Sequence, residues 1–399
     1  MKPNDKNYTI FLGSLILSFF FLLLPIDALT GYFSSIGANL PLSVIWKLIL
    51  FFCVSIYLLK YTKGQIIFFS IIQYVSIIIL VSSFRNSDEV SKTLNHLFRF
   101  LLCIVIYVFI NLLSSRLAIY DKLKKIISFN CIFLVINILL ILFGIGLRNY
   151  VDQFSSKGFF YAGNEVSGLF ILLSPISLYW FSIKNKVSSI KLFIVFLLIT
   201  TATVLLGSKT AIVATLFINS FVIKLYLQKK DKLKYFYIII GLLIIFALSF
   251  GIKIIVEWDL WQRWIFFYNK GGLNYVIFSG RDLYWIQEKN EILNGHWYDL
   301  IFGLGGDRTV EMDIFDTFLN YGILGLLIIY SFYFYIIYRV YLLSKIIEIA
   351  KVVLIIDIVF IIFSSVAGHM IYSGMAAPFV AIINMIPILH QKEKSYNKI

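Results

Sequence analysis

Two short polar stretches carry the side chains best suited to chemistry. In SGRDLYW, Arg281 follows a glycine, and its permanently charged guanidinium presents a fork of donors that matches phosphate oxygens. In VEMDIFDTFLNYG, Glu311 and Asp313 precede an apolar run. Simpler interpretations stay open, since Arg281 could pair with Asp282 or another loop carboxylate, and the acids could cap a helix N-terminus. The stretches are candidates for an anion-binding group and a proton-accepting group.

His369 is another candidate base. It lies between small residues in SSVAGHMIYSGMAAP, and an imidazole beside a cleft can titrate near neutral pH. The small residues could instead serve only to let helices pack closely. The histidines and cysteines show no metal-ligand spacing, so the sequence predicts no metal site and no cofactor.

The composition indicates what must position these residues. Hydrophobic residues make up 60% of the chain and charged residues 14%, whereas soluble proteins have about 45–50% apolar and about 25% charged residues. In lipid, unpaired backbone groups find no partner, so spans must be helical. We therefore predict an all-α polytopic integral membrane protein with residues 1–399 in a single domain. The net charge of +14 fits basic cytoplasmic loops and gives no reason to expect nucleic acid.

Apolar runs long enough to cross a hydrocarbon core of about 30 Å recur along the chain. We expect about 12 transmembrane helices, with a tight reversal at 207–209 between the seventh and the eighth. With both termini in the cytoplasm, basic segments such as KKDKLK fall on the cytoplasmic side and most acidic residues on the other. The predicted spans are 9–27, 41–59, 64–82, 94–113, 126–146, 166–183, 191–207, 210–227, 235–252, 314–337, 351–370 and 374–390.

One long hydrophilic segment, 253–313, separates the ninth and tenth spans and is predicted to lie outside the cytoplasm. A loop of this length is more often functional than not. Its tryptophans could form an interfacial belt, with EWDLWQRW as an amphipathic helix on the outer leaflet, or could stack on sugar rings. These tryptophans are Trp258, Trp261, Trp264, Trp285 and Trp297.

Several basic residues lie at predicted outer helix ends, where the positive-inside rule does not place them. Their long side chains could snorkel to lipid headgroups. A ring of cations at the outer leaflet also suits a lipid-linked diphosphate better than a neutral solute. These residues are Lys47, Arg99, Arg148 and Lys209, with Lys157 in a loop. Asp357, the acid within a span, could join two helices or act in the function.

The motifs and their order resemble a known family. SGRDLYW, then LIFGLGGD, then EMDIFDTFLNYGILG resembles the bacterial O-antigen polymerase and ligase superfamily, with the closest likeness to Wzy-type capsule or O-antigen repeat-unit polymerases. The stretch KGFFYAGNEVSGLF, the hairpin GSKTA and the stretch AGHMIYSG are similar to parts of the same family. The resemblance spans roughly residues 150–375.

The resemblance implies a metal-independent, membrane-embedded glycosyltransferase at the outer face of the cytoplasmic (inner) membrane. Its substrate is implied to be an undecaprenyl-diphosphate-linked oligosaccharide, whose glycan chain is transferred to the next lipid-linked repeat unit. Besides membrane lipids, the chain-length regulator and the flippase of the same pathway are candidate partners. The arginine of the family's Gly-Arg-x-x-x-Trp pattern maps to Arg281, and the basic residue of the hairpin maps to Lys209.

The resemblance also orders the candidate catalytic residues. Where ligases carry a histidine eleven positions before a helix glycine, here Gly322, this sequence has Glu311, which favours a polymerase. Arg281 is then expected to neutralise the leaving diphosphate, and Glu311, before Asp313 and His369, to accept the proton. Expected substrate-binding residues are Lys209, Arg99, Asn164, Lys47 and Trp285.

Two alternatives stay open at this point. A ligase would attach finished glycan to a different acceptor, such as a lipid or a wall polymer. A flippase or transporter of lipid-linked oligosaccharide should concentrate ionisable residues within its spans, whereas this chain places them at the predicted outer face and in one long outer loop.

Overall fold

The computed structural model describes residues 3–83, 90–149, 155–183, 188–229, 259–305 and 308–396. Within these ranges the chain is helical, and its one β-type pairing is an isolated bridge between Leu147 and Gly158. The α-helices, numbered in chain order, are α1 Pro3–Phe19, α2 Leu23–Ser35, α3 Leu42–Leu59, α4 Thr62–Ser83, α5 Val90–Leu113, α6 Tyr120–Leu139, α7 Gly163–Ser182, α8 Ser189–Leu206, α9 Lys209–Lys229, α10 Asp259–Phe278, α11 Arg281–Leu293, α12 Trp297–Phe302, α13 Asp313–Ser344, α14 Glu348–Ala367 and α15 Ala377–Tyr396.

Nine helical segments within the described ranges are long and apolar enough to cross a membrane, and each coincides with a predicted span. Two more predicted spans, 64–82 and 374–390, correspond to α4 and α15, and the last, 235–252, lies outside the described residues. The prediction of an all-helical polytopic membrane protein is therefore confirmed. The total of twelve spans stays a prediction.

The first span, Ile10–Ser35, is interrupted by a 3-10 turn at Phe20–Leu22. Pro25 follows this turn, and a proline has no N–H to donate and clashes with the carbonyl four residues earlier. Asn130 of α6 compensates: its Nδ2 donates to Phe20 O at 3.1 Å, and its Oδ1 accepts from Leu24 N at 3.3 Å. The buried amide thus satisfies backbone groups that lipid could not.

The predicted reversal at 207–209 is confirmed. Helix α8 ends at Leu206, Gly207 follows with a φ of 70°, and α9 begins at Lys209. A left-handed glycine is the usual way to end a helix because it has no Cβ to clash. The turn leaves Lys209 in the first turn of α9, where the helix dipole disfavours a cation.

Helix α7 occupies the centre of the bundle and packs against α6, α8, α9, α14 and α15. Polar contacts inside the bundle pair helices with one another. Asn384 Nδ2 of α15 donates to Asp357 Oδ1 of α14 at 3.0 Å, and both residues are buried. This contact supports the first interpretation of Asp357, in which the residue joins two helices.

Helix α9 connects two ends of the bundle that differ in chemistry. At one end Lys209 donates to Ser279 Oγ of the long loop at 2.8 Å. At the other end Lys229 pairs with Glu348 at 2.6 Å, and Lys345 and Lys351 line the same surface. We call the first the motif end and the second the basic end. This division is what antiparallel passes through a membrane produce.

The described part of the long segment 253–313 is not an open loop but three helices, α10 to α12, with a short return to α13. It has a small core of its own, separate from the core of the bundle. That core consists of Ile292, Val310, Met312 and Leu319, with Phe278, Trp285, Leu300, Leu304, Phe315 and Phe318 packed against it. The predicted amphipathic helix EWDLWQRW is described from Asp259 onward as the start of α10.

The connection between α14 and α15 is longer than predicted. The spans at 351–370 and 374–390 left three residues between them, but α14 ends at Ala367 and α15 begins at Ala377. Gly368 has a φ of 65°, and the residues 368–376 form a non-helical segment whose side chains are largely buried. We call residues 368–376 the buried turn.

Candidate active site

Arg281 stands at the N-terminus of α11, directly after Gly280, whose φ of 84° ends the preceding turn. Its Nε and Nη2 donate to Glu311 Oε2 at 2.9 and 2.7 Å. The Arg281 side chain is 14% exposed and that of Glu311 is 43% exposed. The sequence left open whether Arg281 pairs with Asp282 or with another loop carboxylate. In the structure its partner is the other carboxylate, Glu311. The predicted anion-binding group and the predicted base are therefore in direct contact.

Lys209 joins the hairpin between α8 and α9 to the same stretch. Its Nζ donates to Ser279 Oγ at 2.8 Å and to Val276 O at 2.5 Å, and lies 5.0 Å from the centre of the Phe267 ring. The two predicted cations, Lys209 and Arg281, thus converge on one turn, although the sequence separates them widely. Their convergence creates positive charge at the motif end.

The backbone at this site is strained. Among the described residues, the non-glycine residues with positive φ are Ser279 at 57°, Glu311 at 59° and His369 at 60°. A left-handed backbone costs a non-glycine residue roughly 1–3 kcal/mol, and such residues cluster at functional sites. Each of the three lies in a different predicted motif. We call Lys209, Ser279, Arg281, Glu311 and His369 together the motif cluster.

Asp313 ties the buried turn to the start of α13. Its oxygens accept the backbone N–H groups of His369 at 2.6 Å, Met370 at 2.9 Å and Ile371 at 2.8 Å. Its side chain is fully buried. Asp313 therefore has a visible anchoring contact, and its predicted role as a proton acceptor stays a prediction.

A glycine makes the closest approach in this region possible. A Cβ added to Gly368 would lie 2.1 Å from Glu311 O, so the buried turn touches the Glu311 backbone directly. Together with the hydrogen bonds that the buried turn donates to Asp313, this contact places His369 beside Glu311. The three candidate bases of the sequence, Glu311, Asp313 and His369, thus belong to one site.

Asp313, Asp316 and His369 form the one group of possible metal ligands found in the described part of the chain. One donor atom from each lies within 4.8 Å of the others. No metal-ligand spacing marks this group in the sequence, because His369 is 56 residues from Asp313. Asp313 uses both of its oxygens for the backbone of the buried turn, and Asp316 Oδ1 accepts from Val310 N at 2.5 Å. Asp316 Oδ2 is buried and has no hydrogen-bond partner within the described residues.

Three other predicted substrate-binding residues lie in or beside a polar cavity inside the bundle. The cavity has a volume of about 180 Å³ and is lined by Lys47 and Arg99, with Asp27 and Glu165 as carboxylates. Lys47 Nζ is 2.6 Å from Asp27 Oδ1, and both side chains are buried. Asn164 is half-buried in the first turn of α7, next to Glu165. We call this space the polar cavity.

The buried turn links the polar cavity to the motif cluster. Ser373 Oγ donates to Glu165 Oε2 at 2.5 Å, and Arg99 Nη1 donates to Tyr372 O at 3.4 Å. The same turn is bonded to Asp313 at its other end. The sequence analysis did not predict Asp27 and Glu165 as site residues. Glu165 lies in the stretch KGFFYAGNEVSGLF, whose resemblance to the family could have identified it.

Trp285 packs inside the small core of the long segment. Its ring centre is 4.3 Å from that of Phe315 and 6.2 Å from that of Phe318. Tyr284, the preceding residue, is 55% exposed. Trp285 therefore has an anchoring contact between α11 and α13, and a contact with sugar stays a prediction for it.

Arg308 fastens the return of the long segment to α11. Its guanidinium donates to Glu288 at 2.9 Å and to both oxygens of Glu291, and its backbone N–H and C=O bond the Asn320 side chain. The hydrogen bonds from Arg308 hold the pKa of Glu291 below its usual range. A Cβ on Gly303 would lie 2.4 Å from Tyr321 N, so the backbone at Gly303 lies directly against α13.

Comparisons with known proteins indicate the family to which the chain is similar. A family model described as O-antigen ligase like membrane protein matches residues 10–260. A search of curated proteins finds no match. The matched range contains Lys209 and the charged residues that line the polar cavity, and it ends before Arg281. Arg281, Glu311 and His369 are connected to the matched part of the chain by the contacts described above.

Proposed function

The chain belongs to the O-antigen ligase like membrane protein family of membrane glycan-processing enzymes, and from that premise we propose that it is a polysaccharide repeat-unit polymerase. It transfers a glycan chain from an undecaprenyl diphosphate carrier onto the next lipid-linked oligosaccharide unit. The reaction takes place at the outer face of the cytoplasmic membrane. The motif end faces outward and both termini lie in the cytoplasm, an orientation supported by the lysines at the basic end.

The proposed reaction is a displacement at the anomeric carbon of the donor sugar. A hydroxyl of the acceptor sugar attacks that carbon, the bond to the carrier diphosphate breaks, and the diphosphate leaves with the electron pair. Arg281 and Lys209 neutralise its charge, because fixed cations in a partly dehydrated site stabilise developing negative charge. Glu311 accepts the proton of the attacking hydroxyl.

The observation that carries this proposal is the ion pair between Arg281 and Glu311. The guanidinium uses two donors on one carboxylate oxygen and is only 14% exposed, while Glu311 remains 43% exposed. An incoming diphosphate can replace the carboxylate as the partner of Arg281 because both are anionic acceptors of the same fork. Donor binding then frees Glu311 for the acceptor hydroxyl. The strained φ of Glu311 keeps it beside the cation in either state.

The proposed chemistry needs no metal ion. Both oxygens of Asp313, the most buried of the possible ligands, already accept backbone N–H groups of the buried turn. Arg281 and Lys209 supply the positive charge that a metal ion supplies elsewhere. The partners proposed for the chain are lipid-linked oligosaccharide and the chain-length regulator and flippase of the same pathway.

A ligase is the second candidate, because the matching family is described as ligase-like. A ligase would transfer finished glycan to a different acceptor through the same leaving group and the same cations. The residue that distinguishes the two is Glu311, at the position where the resembling ligases carry a histidine. We favour the polymerase on that ground.

The first prediction tests the proposal through surface glycan. A deletion strain is complemented with wild type or with Arg281→Ala, and glycan ladders are separated on gels at equal protein levels. Arg281→Ala should lower polymerisation roughly 10²–10³-fold, as loss of a charge-stabilising donor does, leaving single repeat units on the final acceptor.

Arg308→Ala is the matched control, because Arg308 also pairs with carboxylates of the long segment but lies outside the motif cluster. It should retain long ladders. Intact ladders in Arg281→Ala contradict the proposed role of Arg281. Long chains that accumulate on the carrier lipid identify a ligase instead of a polymerase.

A further inference from the structure

The polar cavity differs from the motif cluster in its charge balance. Its lining contains two cations, Lys47 and Arg99, and two carboxylates, Asp27 and Glu165. The cavity is therefore electrically balanced before any ligand arrives. A diphosphate placed there would add negative charge beside two carboxylates in a weakly screened environment, which is unfavourable.

The same lining offers many directed hydrogen-bonding groups in a small space. Besides the four charged groups, Thr30, Ser43 and Asn95 line the cavity. One buried oxygen, Asp27 Oδ2, has no hydrogen-bond partner within the described chain and belongs to a residue that is 5% exposed. A buried carboxylate oxygen without a donor is costly, and a hydroxyl group of a ligand can supply the donor.

An aromatic ring stands at the mouth of the cavity. Tyr161 lines it and is 72% exposed, in a turn that the Lys157 side chain holds by donating to Tyr161 O at 2.9 Å. A flat apolar face beside charged donors and acceptors is the arrangement in which a sugar ring stacks and forms hydrogen bonds at once.

We infer that the polar cavity is a sugar-binding subsite that takes one uncharged sugar unit of the glycan, separate from the diphosphate-neutralising residues Lys209 and Arg281. Asp27 and Glu165 accept hydroxyl hydrogens, Lys47 and Arg99 donate to hydroxyl oxygens, and Tyr161 covers one face of the ring. The inference rests on the proposed function for the identity of the ligand as glycan.

The buried turn gives the subsite a route to the reacting residues. Glu165 bonds Ser373 at one end of the turn, and Asp313 bonds the backbone of His369 at the other. Gly374 and Met375 of the buried turn line the cavity, so a sugar seated there contacts the same segment that positions His369 beside Glu311. Occupation of the subsite fixes the register of the glycan relative to the motif cluster.

The test measures binding of two probes to the purified full chain in detergent. One probe is the repeat-unit oligosaccharide released by mild acid from the lipid-linked pool of the strain, free of phosphate. The other is inorganic pyrophosphate. Glu165→Gln and Tyr161→Ala should each weaken oligosaccharide binding about tenfold or more, as loss of a charged hydrogen bond or an aromatic anchor does, and leave pyrophosphate binding unchanged. Lys209→Gln should show the reverse pattern.

Tyr338→Ala is the matched control, because Tyr338 is 60% exposed on α13 and does not line the cavity. It should bind both probes as wild type does. Thermal unfolding checks that each variant folds; if Glu165→Gln does not, the exposed Tyr161→Ala decides. Unchanged oligosaccharide binding in Tyr161→Ala overturns the inference, as does loss of pyrophosphate binding in folded Glu165→Gln.

These outcomes are distinct from failure of the proposed function. Intact ladders in Arg281→Ala together with lost oligosaccharide binding in Tyr161→Ala would leave the sugar subsite standing and refute the assigned role of Arg281. The converse result would leave the polymerase standing and refute the subsite.

Discussion

The motif cluster and the polar cavity place similar side chains in opposite settings. In the cluster, the cation–carboxylate pair of Arg281 and Glu311 is partly open, with the carboxylate 43% exposed. In the cavity, the side chains of the pair Lys47 and Asp27 are only 8% and 4% exposed. A buried pair is costly to separate, while a partly exposed one exchanges partners readily. The comparison supports the proposal that the cluster exchanges ion-pair partners during the reaction and that the cavity keeps its pair of Lys47 and Asp27.

The motif cluster and the polar cavity also differ in backbone conformation. Asp27, Lys47, Arg99 and Glu165 all project from regular helices. Ser279, Glu311 and His369 instead have left-handed backbones, which survive only where surrounding contacts hold them. Groups on rigid helices suit recognition of a fixed shape. Groups on strained turns suit chemistry that needs one particular geometry.

The largest expected effect breaks the cluster itself. Glu311→Gln keeps the size of the side chain and its acceptor for Arg281 but removes its capacity to accept a proton. The polymerisation rate should fall roughly 10²–10⁴-fold, as loss of a general base does, with oligosaccharide binding retained. In vitro polymerisation of lipid-linked repeat units measures it. A rate near that of wild type would transfer the role of base to His369.

The next effect concerns the second cation of the cluster. Lys209→Gln removes one positive charge from the site while its amide can still bond Ser279. The rate should fall about 10- to 100-fold, in line with a charge-assisted hydrogen bond of roughly 1.5–3 kcal/mol, and a higher donor concentration should restore part of it. Steady-state kinetics with varied donor concentration measure this. An unchanged rate would mean that Arg281 alone neutralises the leaving group.

A third variant tests whether the cluster depends on its close backbone contact. Gly368→Ala puts a Cβ 2.1 Å from Glu311 O and forces a side chain onto a φ of 65°. Stability should fall by roughly 1–3 kcal/mol, and activity should fall with it. Gly37→Ala is the control, since Gly37 has a φ of 83° and open space around it. Equal losses in the two variants, measured by thermal unfolding, would show that the contact with Glu311 adds nothing.

The smallest effect concerns the fastening of the long segment. Because Arg308 lowers the pKa of Glu291 in the folded state, this pair stabilises the fold above the unfolded pKa of about 4.3 and loses that contribution as pH falls through the folded value. Glu291→Gln should therefore unfold at a slightly lower temperature than wild type at pH 7. The difference should shrink below about pH 4. A difference that grows in acid would contradict the assignment.

Some features of the site were predictable because they depend on local sequence. The stretch SGRDLYW, the acids at the start of α13 and the hairpin at Lys209 all place charged residues beside an apolar run. The pairing of Arg281 with a loop carboxylate was among the interpretations left open, and Glu311 proved to be the partner. The longer connection at 368–376 was missed, because apolar residues are frequent in it. What distinguishes it from helix is tertiary: its backbone N–H groups donate to Asp313, and Gly368 and His369 have positive φ.

The sequence by itself determined that this is an all-helical membrane protein, since lipid leaves an apolar chain no other way to satisfy its backbone. It also determined which polar residues interrupt the apolar runs. Only the tertiary structure decided which of them meet. Asp27 and Lys47 belong to different helices, and His369 is 56 residues from Asp313. Such contacts depend on how the helices pack and where the chain turns, and neither can be predicted from the hydropathy of the sequence.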